Sequence, residues 1–262
     1  MKIGIIGAME EEIQLILKNL EVESESIIGM RKYYSGRLFN KDIILVFSRW
    51  GKVAAASTAT TLIQKFNVDL VLFTGVAGAV NSDLNVGDIV IADNLVQYDM
   101  DATALPGFRK FEIPLLGKCF FPVDGALLDL AKRSAHYYID NEMKNDINAG
   151  LLEEFGIEIP KVAVGVIASG DKFIADGNII NELSSQINNL QCVEMEGAAV
   201  AQVCYEHGVK FLVFRVISDK ANEHANIDFN KFIENASSHF TRGIIKKVIT
   251  DIAPVNLEAN VL

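Results

Sequence analysis

Basic charge is scarce in this sequence. Its 262 residues carry 24 Lys and Arg against 34 Asp and Glu, a formal net charge of −10. Nucleic-acid binders neutralise phosphates with a basic surplus, and no basic run here is longer than a pair such as Lys246-Lys247. Nucleic-acid partners and cationic membrane-surface helices are excluded on that ground. Cysteine is rare as well: Cys119, Cys192 and Cys204 are an odd set without CxxC spacing, which reads as reduced thiols in a cytosol. The four histidines form no HxxxH pair, so the sequence offers no zinc or His-triad signature. No apolar stretch approaches the roughly 18–20 residues of a membrane helix. The short apolar start, Ile3–Met9, runs at once into Glu10-Glu11-Glu12 with no small-residue cleavage site after it, so a cleaved signal is not expected. Proline is limited to 5 residues, so regular elements should dominate. What is plentiful is apolar material. Half of the chain is hydrophobic and mean hydropathy is +0.24, which excludes disorder and supplies a large core.

Strand-length apolar runs alternate with stretches of helical period. Ile3–Ile6, Lys41–Ser48, Leu70–Thr74, Asp88–Val96, Lys161–Ala168, a short run closing at Val193, and Lys210–Ile217 read as strands. Glu11–Leu20, the Ala-rich Lys52–Lys65, Ala126–Tyr138, Gly197–His207 and a long Asp228–Ile252 read as helices, the last with Asp228 as its N-cap. The alternation predicts an α/β sheet covered on both faces. No repeat, low-complexity tract or Gly/Ser linker interrupts it. One domain is therefore expected over residues 1–252, with a frayed tail at 253–262. Gln97–Val123 stands apart: it holds three of the five prolines and four phenylalanines. It reads as a long ordered loop of the kind used for lids or subunit contacts.

Open α/β sheets bind ligands at the carboxyl ends of their strands. The residues there are Met9 to Glu12, Arg49-Trp50-Gly51, Gly75 to Gly78, Ser169-Gly170-Asp171, Glu194-Met195-Glu196-Gly197 and Ser218-Asp219. No Ser-His-Asp or Cys-His set is among them. Gly4-x-x-Gly7 is not the GxGxxG of a dinucleotide site, and three glutamates occupy the helix start where a phosphate would sit. Glu10 and Glu11 read as helix-dipole partners. Glu12, near the helix start that faces the cleft, is a candidate acid or base. Arg215 lies inside the apolar strand Phe211–Ile217, where a guanidinium needs a carboxylate partner; a structural salt bridge and a site role both fit. If the strand continues, alternation puts Glu194 and Glu196 on one side and Met195 on the other. Buried carboxylates need donors, and sugar hydroxyls are suitable ones. Asp219 fits an N-cap for a following turn as well as an acid. By themselves, carboxylates from three strand ends point no further than acid/base hydrolysis of a glycosidic bond.

The motifs also recur together. IGIIGAMEEE from Ile3 to Glu12, GKVAA from Gly51, TGVAG from Thr74, VGDIV from Val86, SGDKFI from Ser169, VEMEG from Val193 and RVISD from Arg215 stand in this order. In order and spacing they resemble the bacterial 5′-methylthioadenosine/S-adenosylhomocysteine nucleosidases of the purine nucleoside phosphorylase superfamily, from Lys2 to about Ile252. Each motif alone is weak, and the collinear set is specific. The resemblance implies a single-domain α/β fold with a mixed twisted β-sheet flanked by helices. It also implies a cytoplasmic homodimer without metal or organic cofactor. The implied reaction is hydrolysis of the N-glycosidic bond of 5′-methylthioadenosine, S-adenosylhomocysteine and 5′-deoxyadenosine. Adenine and a 5-substituted ribose would be the products. Asp219, assisted by Ser218, would protonate adenine N7. Glu12 would position and activate water, Glu196 would bind the 2′- and 3′-hydroxyls, and Arg215 would hold the water and the carboxylates. Glu194 and Met195 would line the ribose. The Phe173 and Ile174 backbone would pair with adenine, with the Phe173 ring stacked on the base. Met9 and Phe229 would line the alkylthio side, with Trp50, Val76 and Gly78 completing the substrate-binding set.

Two departures stand out. Gly-Ile-Gly is common in the family where this chain has Arg49-Trp50-Gly51, and Ser is common at Val76. Trp50 is expected to narrow the thioalkyl pocket, and Val76 to remove one polar contact. The Gln97–Val123 loop is divergent, and in the family part of it walls the partner's pocket. Two rivals compete with the hydrolase reading. A phosphorolytic relative would need a cationic phosphate cradle, and a non-catalytic binding protein or adhesin would not need Glu12, Glu196 and Asp219 intact.

Overall fold

Strand and helix alternate from the first residues. In the computed structural model, which describes residues 1–221 and 225–253, β1 (Lys2–Gly7) leads into α1 (Glu10–Asn19). The first turn of α1 sets Glu10, Glu11 and Glu12 at the positive end of the helix dipole, while Ile13 and Ile16 are buried. β2 (Glu21–Ile28), β3 (Arg31–Leu38) and β4 (Lys41–Phe47) follow as a meander. Gly29 and Met30 take φ of 56° and 62°, and Phe39 and Asn40 take 48° and 63°, the paired left-handed residues of tight two-residue hairpins. α2 (Lys52–Phe66) ends on Asn67 in the left-handed conformation common past helix C-termini. β5 (Leu70–Thr74) and β6 (Val76–Ala79) are separated by Gly75 alone, and β7 (Ile89–Gln97) follows. After a loop come β8 (Phe120–Pro122), α3 (Gly125–Asn141), α4 (Met143–Asp146), α5 (Ala149–Glu154) and β9 (Val162–Ser169). α6 (Gly177–Gln186), β10 (Leu190–Glu194), α7 (Gly197–Glu206), β11 (Lys210–Asp219), α8 (Ala225–Asn235) and α9 (Ser237–Asp251) end the described chain.

Among the described residues eleven strands form one sheet, in the order β2-β3-β4-β1-β5-β11-β6-β10-β9-β7-β8. β1 runs parallel to β4 and β5, and β5 parallel to the first half of β11, whereas β2, β3 and β4 pair antiparallel. The mixed α/β sheet expected from the sequence is present. It also does something the sequence does not announce. β11 pairs antiparallel with β7, Arg215 opposite Val90, so β11, β6, β10, β9 and β7 close into a ring. β11 belongs to both the open sheet and the ring. Its start pairs with β5, its end with β6, and Arg215, Ser218 and Asp219 sit on the stretch that enters the ring. α2 packs on α7, and α1 and α3 pack on α9, over a single domain whose main apolar core runs from Ile3 to Ile252.

Three expectations need correction. The helix expected over Asp228–Ile252 is two helices, α8 and α9, broken at Ala236. The Ser237 hydroxyl takes the carbonyl of Ile233 at 3.0 Å, competing with the backbone ladder at that point. Because α8 begins at Ala225, Asp228 is not its N-cap. The Gln97–Val123 loop returns to the sheet at its end: Phe120–Pro122 pairs with Asn94–Val96 as an edge strand, a position that tolerates proline. Residues 254–262 of the expected tail lie outside the described residues.

Candidate active site

The carboxyl ends of β1, β5, β10 and β11 and the loop after β9 surround one cleft of about 640 Å³. All fourteen site residues expected from the sequence line it: Met9, Glu12, Trp50, Val76, Gly78, Phe173, Ile174, Glu194, Met195, Glu196, Arg215, Ser218, Asp219 and Phe229. Ala8, Lys172 and Val193 also contribute to the wall and were not anticipated, as does Ala77, which the sequence marked only as a strand-end residue. Each lies beside an expected residue, and adjacency was the only available signal.

Glu12 is buried and held by backbone. Its Oε2 accepts from Ala8 N at 2.6 Å and Met9 N at 3.0 Å, and its Oε1 from Val76 N at 3.0 Å. Glu12 thereby caps its own helix, satisfying donors that a helix start otherwise leaves open. Burial raises its pKa, against the charge of Arg215 and the three N–H groups, which work to lower it. The neighbouring backbone has to be bare: a Cβ on Gly75 would lie 2.5 Å from Glu12 Oε1.

Glu194 is the hub of a buried network. Arg215 donates to its Oε2 at 2.5 Å, with both side chains almost wholly inaccessible. Gly197 N donates to both carboxylate oxygens at 3.0 and 2.8 Å, Glu196 N donates to Oε2 at 3.2 Å, and the Ser169 hydroxyl donates to Oε1. Ser169 in turn accepts from Ala198 N at 2.7 Å. The sequence marked Ser169 as a strand-end residue but gave it no task. The Arg215 guanidinium also lies 4.1 Å from the centroid of the Phe73 ring. Arg215 is thus held in a buried ion pair whose partner, Glu194, is itself a wall of the cleft.

Glu196 reaches the cleft by a different route from the one expected. β10 ends at Glu194 and the chain turns, so Glu196 is the N-cap of α7 with φ −138° and ψ −40°. Strand alternation therefore does not carry past Glu194, and Met195 faces the same cleft as its neighbours. Glu196 Oε1 accepts from Gly51 N at 2.7 Å. Burial, and next the charge of Glu194, push its pKa up to about 8. Asp219 is buried at the end of β11, where Ser218 Oγ donates to its Oδ2 at 2.8 Å and Ala221 N to its Oδ1 at 2.8 Å. Gly78 leaves room there, since a Cβ would come within 3.0 Å of Asp219 Oδ1.

The opposite wall is aromatic. Phe229 meets Trp50 edge-on at 6.4 Å between centroids and Phe173 edge-on at 5.6 Å. Trp50 remains 57% exposed and Phe173 40% exposed, so both stand at the mouth, while Ile174 is buried. The Phe173 loop is pinned from outside. Asp171 accepts from Lys52 N at 2.8 Å, Asp99 accepts from Asp171 N at 3.0 Å and from Lys52 Nζ at 2.5 Å, and Tyr98 OH donates to Lys172 O at 3.1 Å. Among the described residues no group of three or more His, Cys, Asp or Glu is arranged to hold a metal ion.

The family model of the phosphorylase superfamily matches residues 2–250, the whole span of this α/β sheet and its cleft. A nucleosidase of Bacillus thuringiensis is 36% identical over 94% of this chain and 97% of its own length; it is named a 5′-methylthioadenosine/S-adenosylhomocysteine nucleosidase. The Neisseria meningitidis enzyme of the same name, solved with methylthio-immucillin-A, superposes with a TM-score of 0.84 at 31% identity over 96% of this chain and 99% of that one. A Helicobacter pylori structure described as a futalosine hydrolase superposes with a TM-score of 0.80 at 36% identity, covering 96% and 98%. The chain belongs to the family of 5′-methylthioadenosine/S-adenosylhomocysteine nucleosidases.

Proposed function

We propose that this chain hydrolyses the N-glycosidic bond of 5′-methylthioadenosine and S-adenosylhomocysteine, releasing adenine and a 5-thio-substituted ribose. One observation carries the choice of water over phosphate. The N–H groups of Ala8, Met9 and Val76, which would otherwise make an anion site at the start of α1, are all taken by the Glu12 carboxylate. A phosphate entering there would meet a carboxylate instead.

In this reading Asp219, oriented by Ser218, donates a proton to N7 of adenine. The C1′–N9 bond breaks with its electron pair going to adenine, which leaves as a neutral base. Water adds to the oxocarbenium-like C1′, and Glu12 takes the proton it loses. A base with a pKa raised by burial accepts a proton more readily near neutral pH. Glu196 binds the ribose hydroxyls, and Arg215 acts through Glu194 to hold that side of the cleft in place. Phe173 covers the base, and Met9, Trp50 and Phe229 enclose the 5′ substituent. That wall is apolar and makes no demand for sulfur, so 5′-deoxyadenosine is included as a substrate. We also propose that the protein is a cytoplasmic homodimer. Val53 of α2, Leu105 of the loop after β7 and Phe120 of β8 are exposed apolar residues suited to a subunit contact. Its cysteines are free thiols, and among the described residues no helix is long and apolar enough to cross a membrane. Light scattering at micromolar concentration tests the dimer.

The test of function is adenine release from methylthioadenosine, adenosylhomocysteine, 5′-deoxyadenosine and futalosine, with and without phosphate. The expected result is release from the first three at rates independent of phosphate. Rates proportional to phosphate, with a ribose 1-phosphate product, would overturn hydrolysis. Release from futalosine alone would overturn the substrate class.

A further inference from the structure

β7 and β9 are parallel neighbours in a register that sets Gln97 beside Ser169. Two residues past each, Asp99 and Asp171 therefore leave the sheet at the same level. Neighbouring carboxylates repel unless donors stand between them. Lys52, the first residue of α2, supplies those donors. Its ammonium donates to Asp99 Oδ1 at 2.5 Å and its backbone N–H to Asp171 Oδ1 at 2.8 Å, while Asp171 N donates to Asp99 Oδ2 at 3.0 Å. Lys52, Asp99 and Asp171 form a closed triangle in which each residue holds the other two. None of the three lines the nucleoside cleft.

The triangle joins two halves of that cleft. On one side is the segment between β9 and α6, which carries Phe173 and Ile174 into the cleft wall outside any helix or strand. Among the described residues no hydrogen bond of the chain reaches the main-chain N–H and C=O groups of Phe173 or Ile174, so they are available to a ligand. Past Gly170 the segment is tied to neighbouring elements by the Asp171 corner of the triangle and by Tyr98 OH, which donates to Lys172 O at 3.1 Å. On the other side, Gly51 N holds Glu196, one peptide before Lys52 N holds Asp171. Gly51 takes a φ of 90°, and a Cβ there would lie 3.1 Å from Asp171 Oδ1, so this approach requires glycine. α2 is a 15-residue helix packed on α7 and is the fixed member; the irregular segment is the one that yields. In the function proposed above, Glu196 meets the ribose and the Phe173–Ile174 segment meets the base. On that reading, we propose that Lys52, Asp99 and Asp171 are positioning residues for the purine base. They set the main chain that reads the base edge at a fixed distance from the carboxylate that holds the sugar. A nucleoside gripped at both ends presents its N-glycosidic bond to Asp219 and Glu12 in one orientation; with the triangle broken, the sugar alone orients it.

The test compares the wild type with Lys52→Met, Lys52→Arg, Asp99→Ala and the Lys52→Met/Asp99→Ala double variant. The readouts are kcat/KM for methylthioadenosine and calorimetric affinities for its two halves, adenine and 5-methylthioribose. Lys52→Met and Asp99→Ala should each lose roughly three- to thirtyfold in kcat/KM and in adenine affinity, with 5-methylthioribose bound within about twofold of wild type. The double variant should be no worse than Asp99→Ala, because the two changes break one unit. Lys52→Arg, which keeps a cation within reach of Asp99, should recover most of the loss. Tm should stay within about 3 °C of wild type, because a part-exposed ion pair adds little to stability. Unchanged adenine affinity, equal losses for adenine and 5-methylthioribose, or additive losses in the double variant overturn the positioning role and leave the hydrolase standing. A wild-type protein that cleaves no adenine nucleoside overturns the function, and this assignment with it.

Discussion

Replacing Glu194 with Gln tests how the cleft is held together. The substitution is nearly isosteric, yet it removes the charge opposite a guanidinium that has almost no access to water. It also sets an amide NH2 among donors, because Arg215, Ser169, Gly197 N and Glu196 N all point at this carboxylate. Taking one partner from a buried ion pair costs about 3–5 kcal/mol, most of it the stranded charge. For a chain of this size that is a fall in Tm of roughly 6–20 °C, measurable by calorimetry at pH 7. A second readout follows from the charge of Glu194, which is the next cause after burial of the raised Glu196 pKa. In Glu194→Gln the limb of the pH profile belonging to Glu196 should move to lower pH. The reasoning also makes a rescue: Glu194→Gln/Arg215→Met, lacking both charges, should be more stable than Glu194→Gln alone. A Tm within about 2 °C of wild type for the single variant, or no rescue in the double, would refute the account.

Asp219→Asn keeps the shape at the end of β11 but has no proton to donate; adenine release should fall by about 10²–10⁴-fold while calorimetry still detects nucleoside binding. Near wild-type turnover would remove Asp219 from the mechanism. Glu196 has a folded pKa of about 8 against an ordinary 4.5, so its contribution to stability is fully present below 4.5 and is lost as pH rises through 8. Unfolding free energy measured between pH 5 and 8 should therefore decline more steeply in the wild type than in Glu196→Gln, and parallel slopes would contradict this. Gly75→Ala puts a methyl group 2.5 Å from Glu12 Oε1 and must displace it. Turnover should drop at least about tenfold with a modest overpacking cost of about 1–3 kcal/mol; an unchanged kcat would mean that Glu12 need not stay where it is.

Much of the fold was legible because buried strands advertise themselves. Leu70–Thr74 and Lys210–Ile217 are apolar runs with both faces covered, and their pattern is local. β2 was not legible, because it is exposed along most of its length and its hydrophobic pattern is correspondingly faint. Ring closure through Arg215 and Val90 is a pairing between distant segments, which no local periodicity encodes. The site was legible for a topological reason: the carboxyl ends of the strands had to converge, and the carboxylates were already there. What stayed hidden were the backbone partners. Nothing in the residue type of Gly51 says that its N–H will hold Glu196, and strand periodicity misplaces Glu196 because the chain has already turned at Met195.

Those backbone partners share a pattern. At three helix starts beside the cleft, among the described residues, the opening N–H groups are met by a carboxylate of the chain itself. Glu12 takes Met9 N at the start of α1, Glu196 and Asp171 take Gly51 N and Lys52 N at the start of α2, and Glu194 takes Gly197 N at the start of α7. Helix starts are natural anion sites, through open N–H groups and the macrodipole together. A cleft ringed by three of them would bind phosphate unless something already occupied them. Internal carboxylates do so here, and they leave Arg215, the buried cation of the cleft, paired with Glu194. An anionic nucleophile therefore meets like charge at each of these three helix starts, whereas a neutral water does not. In the proposed reaction the same residues that neutralise the helix ends would also select the nucleophile, so that stability and choice of reaction would rest on one set of hydrogen bonds.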